Sequence, residues 1–427
     1  MIQIYKQLLL ILTTTLLFTA CSTKEPSITV SPIKNSDIEV LATTANDNAI
    51  DSTKASKDFF EKYFKPWNST KVSFPKTEAM WGQSYRYKKV YLENHLLATP
   101  EWFDKQILNS NFDAYNTLAK KAIVLKNTNI RVLPTNSPMF YDPTKPGEGF
   151  PFDYNQNSAI KINTPIIVSH LSKDKAWAYV ESSNIGGWVE IGTIAFVDEK
   201  FIQDFKTSNY FVSVKEKFPI YDPIFREYVK VATIFPKKNN KFIIAKKDDN
   251  LNASIAYIDL NEDEVEPMPL AFNTENRIKI AKQLIDEPYG WGGLLNNRDC
   301  SSFTQDYFAT FGKYLHRNSK AQLSNGKYLD ISNLSNDEKK EFIRKNGVPF
   351  STLVYLKGHI MLYIGIKDKE PLVLHDMWSV RLKDANGVNY RHIIGKTSIT
   401  TLEPGLGMKD YDKDNNILNR VLGIVIL

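Results

Sequence analysis

Apolar and polar positions divide the chain into unlike stretches. Near the start, an apolar run from Leu8 to Phe18 follows Lys6 and precedes the small pair Thr19-Ala20 and then Cys21. It is shorter than the ~20 apolar residues that cross a bilayer as a helix, and it reads as an export signal over residues 1–21. Residues 22–55 are rich in Ser, Thr, Asn, Asp and Lys with little apolar periodicity, which predicts a flexible tether. Helical signals follow over 56–126. Phe59, Phe60 and Phe64 recur at helical spacing. Thr99 stands as an N-cap before Pro100 and Glu101, with Phe103, Ile107 and Leu108 after it, and a third helix is expected from about Asn111 to Leu125. From about Asn127 the period drops to two in IRVLP, PIIVSHL, WAYVES and GGWVEI, broken by Pro, Gly and Asn, which predicts a small all-β barrel over 127–200. YFVSV, EYVKVATIF, KFIIAKK and SIAYIDL predict a second over 201–272. The remainder, 273–427, opens with a helix whose Ile278, Ala281, Leu284 and Ile285 share a face, then passes through a Gly-rich turn and a second helix to strands. Helices first and antiparallel strands afterwards is an α+β order, so the fold class expected is multidomain α+β.

At 427 residues with 42% hydrophobic and 24% charged side chains, the chain is long enough for several cores. The net charge of +6 comes from 54 basic and 48 acidic residues dispersed along it. That favours anionic surfaces mildly and is too diffuse to suggest nucleic-acid binding. Composition adds little beyond this. The cysteines change the picture, because there are only two, Cys21 and Cys300. The context Leu17-Phe18-Thr19-Ala20-Cys21 resembles a bacterial lipobox, with Phe18 where Leu is usual. The resemblance implies acylation of Cys21, membrane attachment through the lipid and an envelope location, with Ser22 suited to the outer membrane or periplasmic face of a diderm cell. Plain signal cleavage is the alternative. Lipidation leaves Cys300 as one free thiol in an exported protein.

Cys300 follows a loop and begins Ser301-Ser302-Phe303-Thr304, where a helix is expected to start. Unpaired amides and the positive helix end there favour thiolate and can hold an oxyanion. A thiolate nucleophile needs an imidazole to take its proton and return it to the leaving group. His359 opens the apolar β-run Ile360–Ile366, and His375 ends the run Leu372–Leu374. The two runs are close enough to pair as a hairpin, which makes His375 the group that fixes the tautomer of His359. Taken singly, a lone cysteine is usually a small buried hydrophobe and a lone histidine usually structural; the combination carries the reading. His95, His170, His316 and His392 have no comparable setting, although His316 beside Arg317 is placed to line a cleft. No metal set or cofactor is expected.

Tyr289-x-Trp291-Gly292-Gly293, Asp299-Cys300-Ser301-Ser302, Arg317-Asn318-Ser319 with Gln322, and Gly358-His359-Ile360-x-x-Tyr363-Ile364-Gly365 resemble the successive motifs of the NlpC family, papain-like cell-wall cysteine peptidases. Ser302 stands where many relatives have Gly. Arg131–Thr135 and Gly187-Trp188-Val189 resemble bacterial SH3-like domains, so the arrangement is similar to γ-D-glutamyl-diamino-acid endopeptidases. The resemblance implies a papain-like domain preceded by two SH3-like barrels and a helical N-terminal domain. It implies Cys300 as nucleophile, His359 as base and acid, His375 as orienting group and Tyr289 as a hydroxyl near the oxyanion. It also implies Asp299 and Ser301 as receivers of a free L-Ala amine, with Trp291 and Ser319 as pocket residues. In the first barrel, the turn from Pro146 to Tyr154 carries Glu148 and Tyr154, placed to cover one end of the cleft. The alternative is an ordinary surface loop. The expected activity is thioester-mediated hydrolysis of the γ-D-glutamyl to diamino-acid bond in peptidoglycan stem peptides, by a monomer. An acyltransferase or amidase of the same fold is one alternative, and a non-catalytic wall-binding lipoprotein another.

Overall fold

The structure, a computed structural model, describes residues 37–47 and 49–427. The apolar run and Cys21 lie outside the described residues. The expected tether does not persist to residue 55. Helix α1 (Asp37–Thr43) buries Ile38, Leu41 and Ala42, spaced three and four apart on one face. It packs on helix α5 (Thr274–Leu284; α2 to α4 are given below), where buried Arg277 donates to the Ala42 carbonyl at 3.0 Å and pairs with Asp47 at 2.7 Å. Residues 37–47 are therefore a brace on the C-terminal domain. The polar majority of the stretch concealed three apolar residues at helical spacing.

Helix α2 (Ser52–Tyr63) is capped by Asp51 and supplies Phe59 and Tyr63 to the main core. Helix α3 (Pro100–Asn109) begins at Thr99, whose hydroxyl accepts from the Trp102 amide at 3.2 Å. The third expected helix does not form. Asn111, Asn116 and Ala119 adopt positive φ, which breaks a helix, leaving a short turn at Phe112–Ala114. The apolar residues that suggested it belong instead to strand β1 (Lys120–Val124), so the first barrel starts before Asn127. With β2 (Thr128–Arg131), β3 (Gln156–Ile160), β4 (Pro165–Leu171), β5 (Trp177–Glu181), β6 (Gly186–Glu190) and β7 (Ile194–Phe196) it makes a sheet in the order β3-β2-β6-β5-β4-β1-β7.

Helix α4 (Glu199–Phe205) leads to the second barrel. It comprises β8 (Tyr210–Ser213), the ribbon β9 (Phe218–Tyr221) and β10 (Phe225–Val229), β11 (Ile234–Lys238), β12 (Lys241–Lys247), β13 (Ala253–Ile258) and β14 (Val265–Pro267). The C-terminal domain follows α5 with helix α6 (Cys300–Thr310), strand β15 (Lys327–Asp330) and helix α7 (Asn336–Asn346). Then come β16 (Thr352–Leu356), β17 (His359–Lys367), β18 (Glu370–Lys383), β19 (Asn389–Thr401) and β20 (Val421–Ile426), in an antiparallel sheet ordered β15-β20-β16-β17-β18-β19. Alternation along β17 sorts its side chains. Ile360, Leu362 and Ile364 join Phe303, Tyr307 and Phe308 of α6 in one core, while Met361 and Tyr363 join Ile343 of α7 in another. The start of α6 is thereby held against the sheet.

Behind that start, charges from three domains are buried together. Arg298 donates to Glu216 of the second barrel at 2.9 Å and to Asp306 at 2.8 Å, and Lys161 of the first barrel also pairs with Asp306. Lys230, almost wholly buried, donates to the Asn296 carbonyl, and burial beside Arg298 lowers its pKa to about 7. Taking ions out of water is costly, so removing one partner hurts more than the pair gains. Arg298→Met should leave Glu216 and Asp306 buried without their shared cation and cost roughly 3–5 kcal/mol in denaturant unfolding. A loss below about 1 kcal/mol, the range of exposed pairs, would show the junction to be unimportant to stability.

Candidate active site

Cys300 is the first residue of α6, and its setting follows from the residues around it. Asp299 caps the helix: its carboxylate accepts from the Ser302 amide at 2.8 Å, while the Ser302 hydroxyl accepts from the Asp299 amide at 2.9 Å. This reciprocal capping fixes where the helix starts and leaves the Cys300 amide in its first turn. The preceding turn carries Gly292 and Gly293 at φ 59° and 87°. A Cβ on Gly292 would lie 2.4 Å from the Gln156 carbonyl oxygen, and one on Gly293 2.6 Å from the Ala159 Cβ. Glycine here lets strand β3 of the first barrel lie directly on the catalytic turn.

Asp299 has more to do than cap. Arg317 reaches its two oxygens at 2.7 and 3.1 Å, and also donates to Ser301 Oγ and Ser158 Oγ, each at 2.8 Å. Opposed by burial, the Arg317 guanidinium still holds the Asp299 carboxyl below its usual range. Gln322 accepts from the Thr304 hydroxyl and donates to the Ser301 carbonyl, fastening the next loop to the same turn.

Cys300 is 8% exposed. Burial, reinforced by Asp299, pushes its thiol up to about 12, against the amide of Ile360, which donates to the sulfur. Burial, reinforced by Arg420, takes His359 down to about 4. The sequence expectation that the helix start favours thiolate is opposed here by burial, which favours the neutral thiol and the neutral imidazole. The physical reason is that desolvation outweighs the helix end.

The tautomer of His359 follows from a chain of hydrogen bonds. The Thr400 hydroxyl donates its proton to the Thr401 carbonyl at 2.7 Å, so its oxygen accepts from His375 Nε2 at 2.9 Å. His375 Nδ1 is then unprotonated and accepts from His359 Nε2 at 2.7 Å. His359 Nδ1 is left with a lone pair, the state a general base needs. No hydrogen bond joins that ring to the Cys300 sulfur in this structure; what meets the sulfur is the amide of the next residue, Ile360. Proton transfer thus requires a local adjustment of the thiol or ring, as is common before substrate closes a site.

Cys300 and His359 line one cavity of about 610 Å³. Tyr289, Asp299, Ser301, Trp291, Ser319 and Tyr154 line it as well. Burial raises the Tyr289 phenol well above its ordinary value, with Cys300 adding to the effect, so it stays protonated and able to donate. Trp291 packs against Phe152 and Tyr154 of the first barrel, at ring separations of 5.2 and 5.8 Å. Glu148 is not in the wall. Its carboxylate accepts from the Asp142 amide at 3.1 Å, folded into its own loop, while neighbouring Gly147 lines the cavity. His375 is fully buried behind His359.

Sequence reasoning missed several contributors. Thr400 lies beyond the hairpin turn of β18 and β19, and only the register Val373↔Thr400 and His375↔Ser398 places it by the imidazoles. Asp376 is fully buried, lines the cavity and, among the described residues, has no hydrogen-bond partner at either carboxylate oxygen. Burial, reinforced by Asp299, raises its pKa well above the usual range. Trp81 and Tyr85 of the N-terminal domain, and Arg391 and Arg420, also line it. The signal for Asp376 was present, an acidic residue next to His375 at the end of an apolar run; the arginines gave none.

Comparison with known proteins adds family likeness to this geometry. Residues 286–393 match the NlpC/P60 family, residues 138–190 an SH3 domain of the SH3b1 type, and residues 10–115 the N-terminal NLPC_P60 stabilising domain. The solved structure of an NlpC/P60 endopeptidase from Photobacterium damselae subsp. piscicida is similar at a TM-score of 0.83 and 26% identity, over 90% of this chain and 94% of that one. An NLPC/P60 family protein from Bacillus cereus ATCC 10987 is 15% identical over 71% of this chain and 98% of that one, with a TM-score of 0.46. No curated protein matches the chain.

A neutral His359 is required to accept the thiol proton, and its lowered pKa keeps it neutral well into acid. The acidic limb of kcat/KM should therefore fall near pH 4. A limb at 6.5 or above would contradict the environment described. Thr400→Val removes the acceptor that sets the tautomer, so kcat should drop about 10- to 100-fold with KM little changed, and Thr400→Ser should restore it. Steady-state kinetics of the two variants decides the matter, since a packing role would not be rescued by serine alone.

Proposed function

We propose that this protein, a cysteine peptidase whose C-terminal segment is an NlpC/P60 domain, cuts the γ-D-glutamyl to diamino-acid bond of peptidoglycan stem peptides through a thioester. The observation that carries this reading is the single cavity in which a helix-start cysteine, a tautomer-fixed imidazole and a protonated phenol converge. His359 Nδ1 takes the Cys300 proton as sulfur attacks the amide carbon. The oxyanion is met by the Cys300 amide and the Tyr289 hydroxyl. His359 then protonates the departing amine, and the acyl group remains on sulfur as a thioester. Water, deprotonated by the same nitrogen, attacks the thioester carbon, and the returned proton restores the thiol as the acid leaves.

The end of the cavity walled by the first barrel and by Trp81 and Tyr85 suits a short peptide with a free N-terminal L-Ala amine. Asp299 and Ser301 mark that end, but Arg317 already neutralises Asp299. Asp376 is the carboxyl left unspent, and an arriving ammonium would ionise it. With detergent-solubilised full chain, L-Ala-γ-D-Glu-diaminopimelate should be split into dipeptide and free diamino acid by mass spectrometry, and Cys300→Ala should bind it without turnover. Equal turnover by both proteins would end the assignment. N-acetylation of the L-Ala should lower kcat/KM by roughly 10-fold or more, as expected when a charged hydrogen-bonding partner is lost.

We also propose that the protein is exported and held to the cell envelope by acylation of Cys21. Support comes from the apolar run and the sequence Leu17–Cys21 alone. Metabolic labelling with a fatty acid should mark the wild type and not Cys21→Ser. Label on both would place the modification elsewhere.

A further inference from the structure

The ribbon of β9 and β10 in the second barrel departs from the ordinary rule for a strand pair with one face in water. Alternation sends Phe218, Ile220 and Val229 into the barrel core. The opposite face should be polar, yet it carries Pro219, Tyr221, Phe225 and Tyr228, set across the ribbon as Phe225↔Tyr221 and Tyr228↔Pro219. The three rings form one cluster, with centroids 6.3 Å apart between Tyr221 and Phe225 and 4.9 Å between Phe225 and Tyr228. Each ring is about half exposed, and Ile224, in the turn at the tip, is 74% exposed. The charged residues of the ribbon are engaged elsewhere. Arg226 donates to the Ala245 carbonyl at 3.3 Å, Glu227 accepts from the Asn127 amide at 2.7 Å, and Asp222 in the turn pairs with Lys246 at 2.9 Å. The tip therefore presents an apolar surface whose acid is already neutralised.

Size and make-up select what covers it. Four such side chains, about half exposed, offer on the order of 300–500 Å². That is short of the ~800 Å² that each partner of a stable protein pair buries. A sugar ring stacks on a flat platform, but neighbouring rings here are inclined at 76° and 55°, and Ile224 has no group to bond a hydroxyl. A bilayer asks for neither a large contact nor a flat one. Aliphatic and phenylalanine side chains enter the acyl boundary while tyrosines sit at headgroup level. Lys126 and Lys246, on the segments bonded to the ribbon, suit anionic headgroups. Chain length agrees. Glu39 of α1 pairs with Lys282, and the next residue, Gln283, accepts from the Glu216 amide at 2.9 Å, so α1 lies near the base of the ribbon. Residues 22–36, fifteen in all, extend no further than roughly 55 Å, so an acyl chain on Cys21 and the ribbon tip can reach one surface.

We propose that the β9–β10 tip, with Tyr221, Ile224, Phe225 and Tyr228, is a membrane-contacting surface that enters the headgroup boundary of a lipid bilayer and holds the folded body against it. This goes beyond the acyl anchor at Cys21 and does not depend on it. The test places one fluorophore at the tip. In the full chain, Cys21→Ser and Cys300→Ala leave Ile224→Cys as the sole thiol, which is labelled with nitrobenzoxadiazole and mixed with phosphatidylglycerol–phosphatidylethanolamine vesicles. Emission should shift to the blue, become shielded from aqueous iodide and be quenched by nitroxides on the acyl chains. Probe depth is the readout, because the apolar run Leu8–Phe18 is able to hold the chain on vesicles by itself. Insertion of the tip should fall roughly 10-fold in Phe225→Ser and survive in Phe225→Leu. A probe that stays open to iodide on vesicles would overturn the proposal. So would a blue shift without lipid that grows with protein concentration, the mark of a second copy, or one that needs peptidoglycan fragments, the mark of a wall site. Fatty-acid labelling at Cys21 can fail while the tip inserts, and the reverse, so the two proposals fall separately.

Discussion

One carboxylate organises the catalytic end of this molecule. Asp299 accepts from the Ser302 amide and hydroxyl, the Ser301 hydroxyl, the Gly292 amide and two nitrogens of Arg317. Through these bonds it sets the first turn of α6, the shape of the glycine turn before it and the position of the loop that carries Ser319. Because Arg317 also holds Ser158, the same carboxylate ties the first barrel to the nucleophile. A buried ion pair rarely contributes much net stability, since desolvation offsets most of the attraction. Its value here lies in geometry: few other arrangements of these loops would satisfy that charge.

The cost appears at Cys300. A carboxylate beside a buried thiol disfavours thiolate. Arg317, the Ile360 amide and the helix start oppose it, so the resting sulfur is protonated yet poised. Such a balance suits a nucleophile shielded in a narrow cavity, because neutral thiol is less open to chance oxidation than thiolate. It also gives His359 a definite task, since the imidazole must remove the proton rather than merely sit beside an existing anion. The hydrogen bonds through His375 to Thr400 keep the accepting nitrogen free for that step.

What could be read along the chain was whatever depends on near neighbours. A cap such as Asp299 with Ser302, or Thr99 before Pro100, acts within one turn, and the pairing of β17 with β18 follows from two apolar runs separated by a short turn. What depends on distant partners was opaque. Residues 120–124 have the apolar character of a helix end, but strands β4 and β7 claim them. Residues 37–43 look like tether because their partner helix comes over two hundred residues later. Glu148 was drawn toward the cleft by its charge, yet the Asp142 amide six residues earlier was the nearer partner. Arg391 and Arg420 sit in segments with no motif at all, and line the same cavity only because the fold brings those segments together.

This division bears on how the two ends of the cavity differ in kind. The chemistry sits on one domain, in capped and register-fixed elements whose residues are set by local rules. The walls come from elsewhere: barrel one through Tyr154 and Gln156, the N-terminal domain through Trp81 and Tyr85, and the C-terminal part of the chain through Arg391 on a strand and Arg420 on a short helix. Gly292 and Gly293 allow the barrel to approach closely enough for Gln156 to donate to the Gly292 carbonyl and for Ser158 to accept from Arg317, and the charges of Lys161, Glu216, Lys230, Arg298 and Asp306 keep that approach fixed. A wall assembled from separate domains can change its charge or its depth without disturbing the helix start. Specificity in this architecture is thus a property of domain docking, while reactivity belongs to the first turn of one helix.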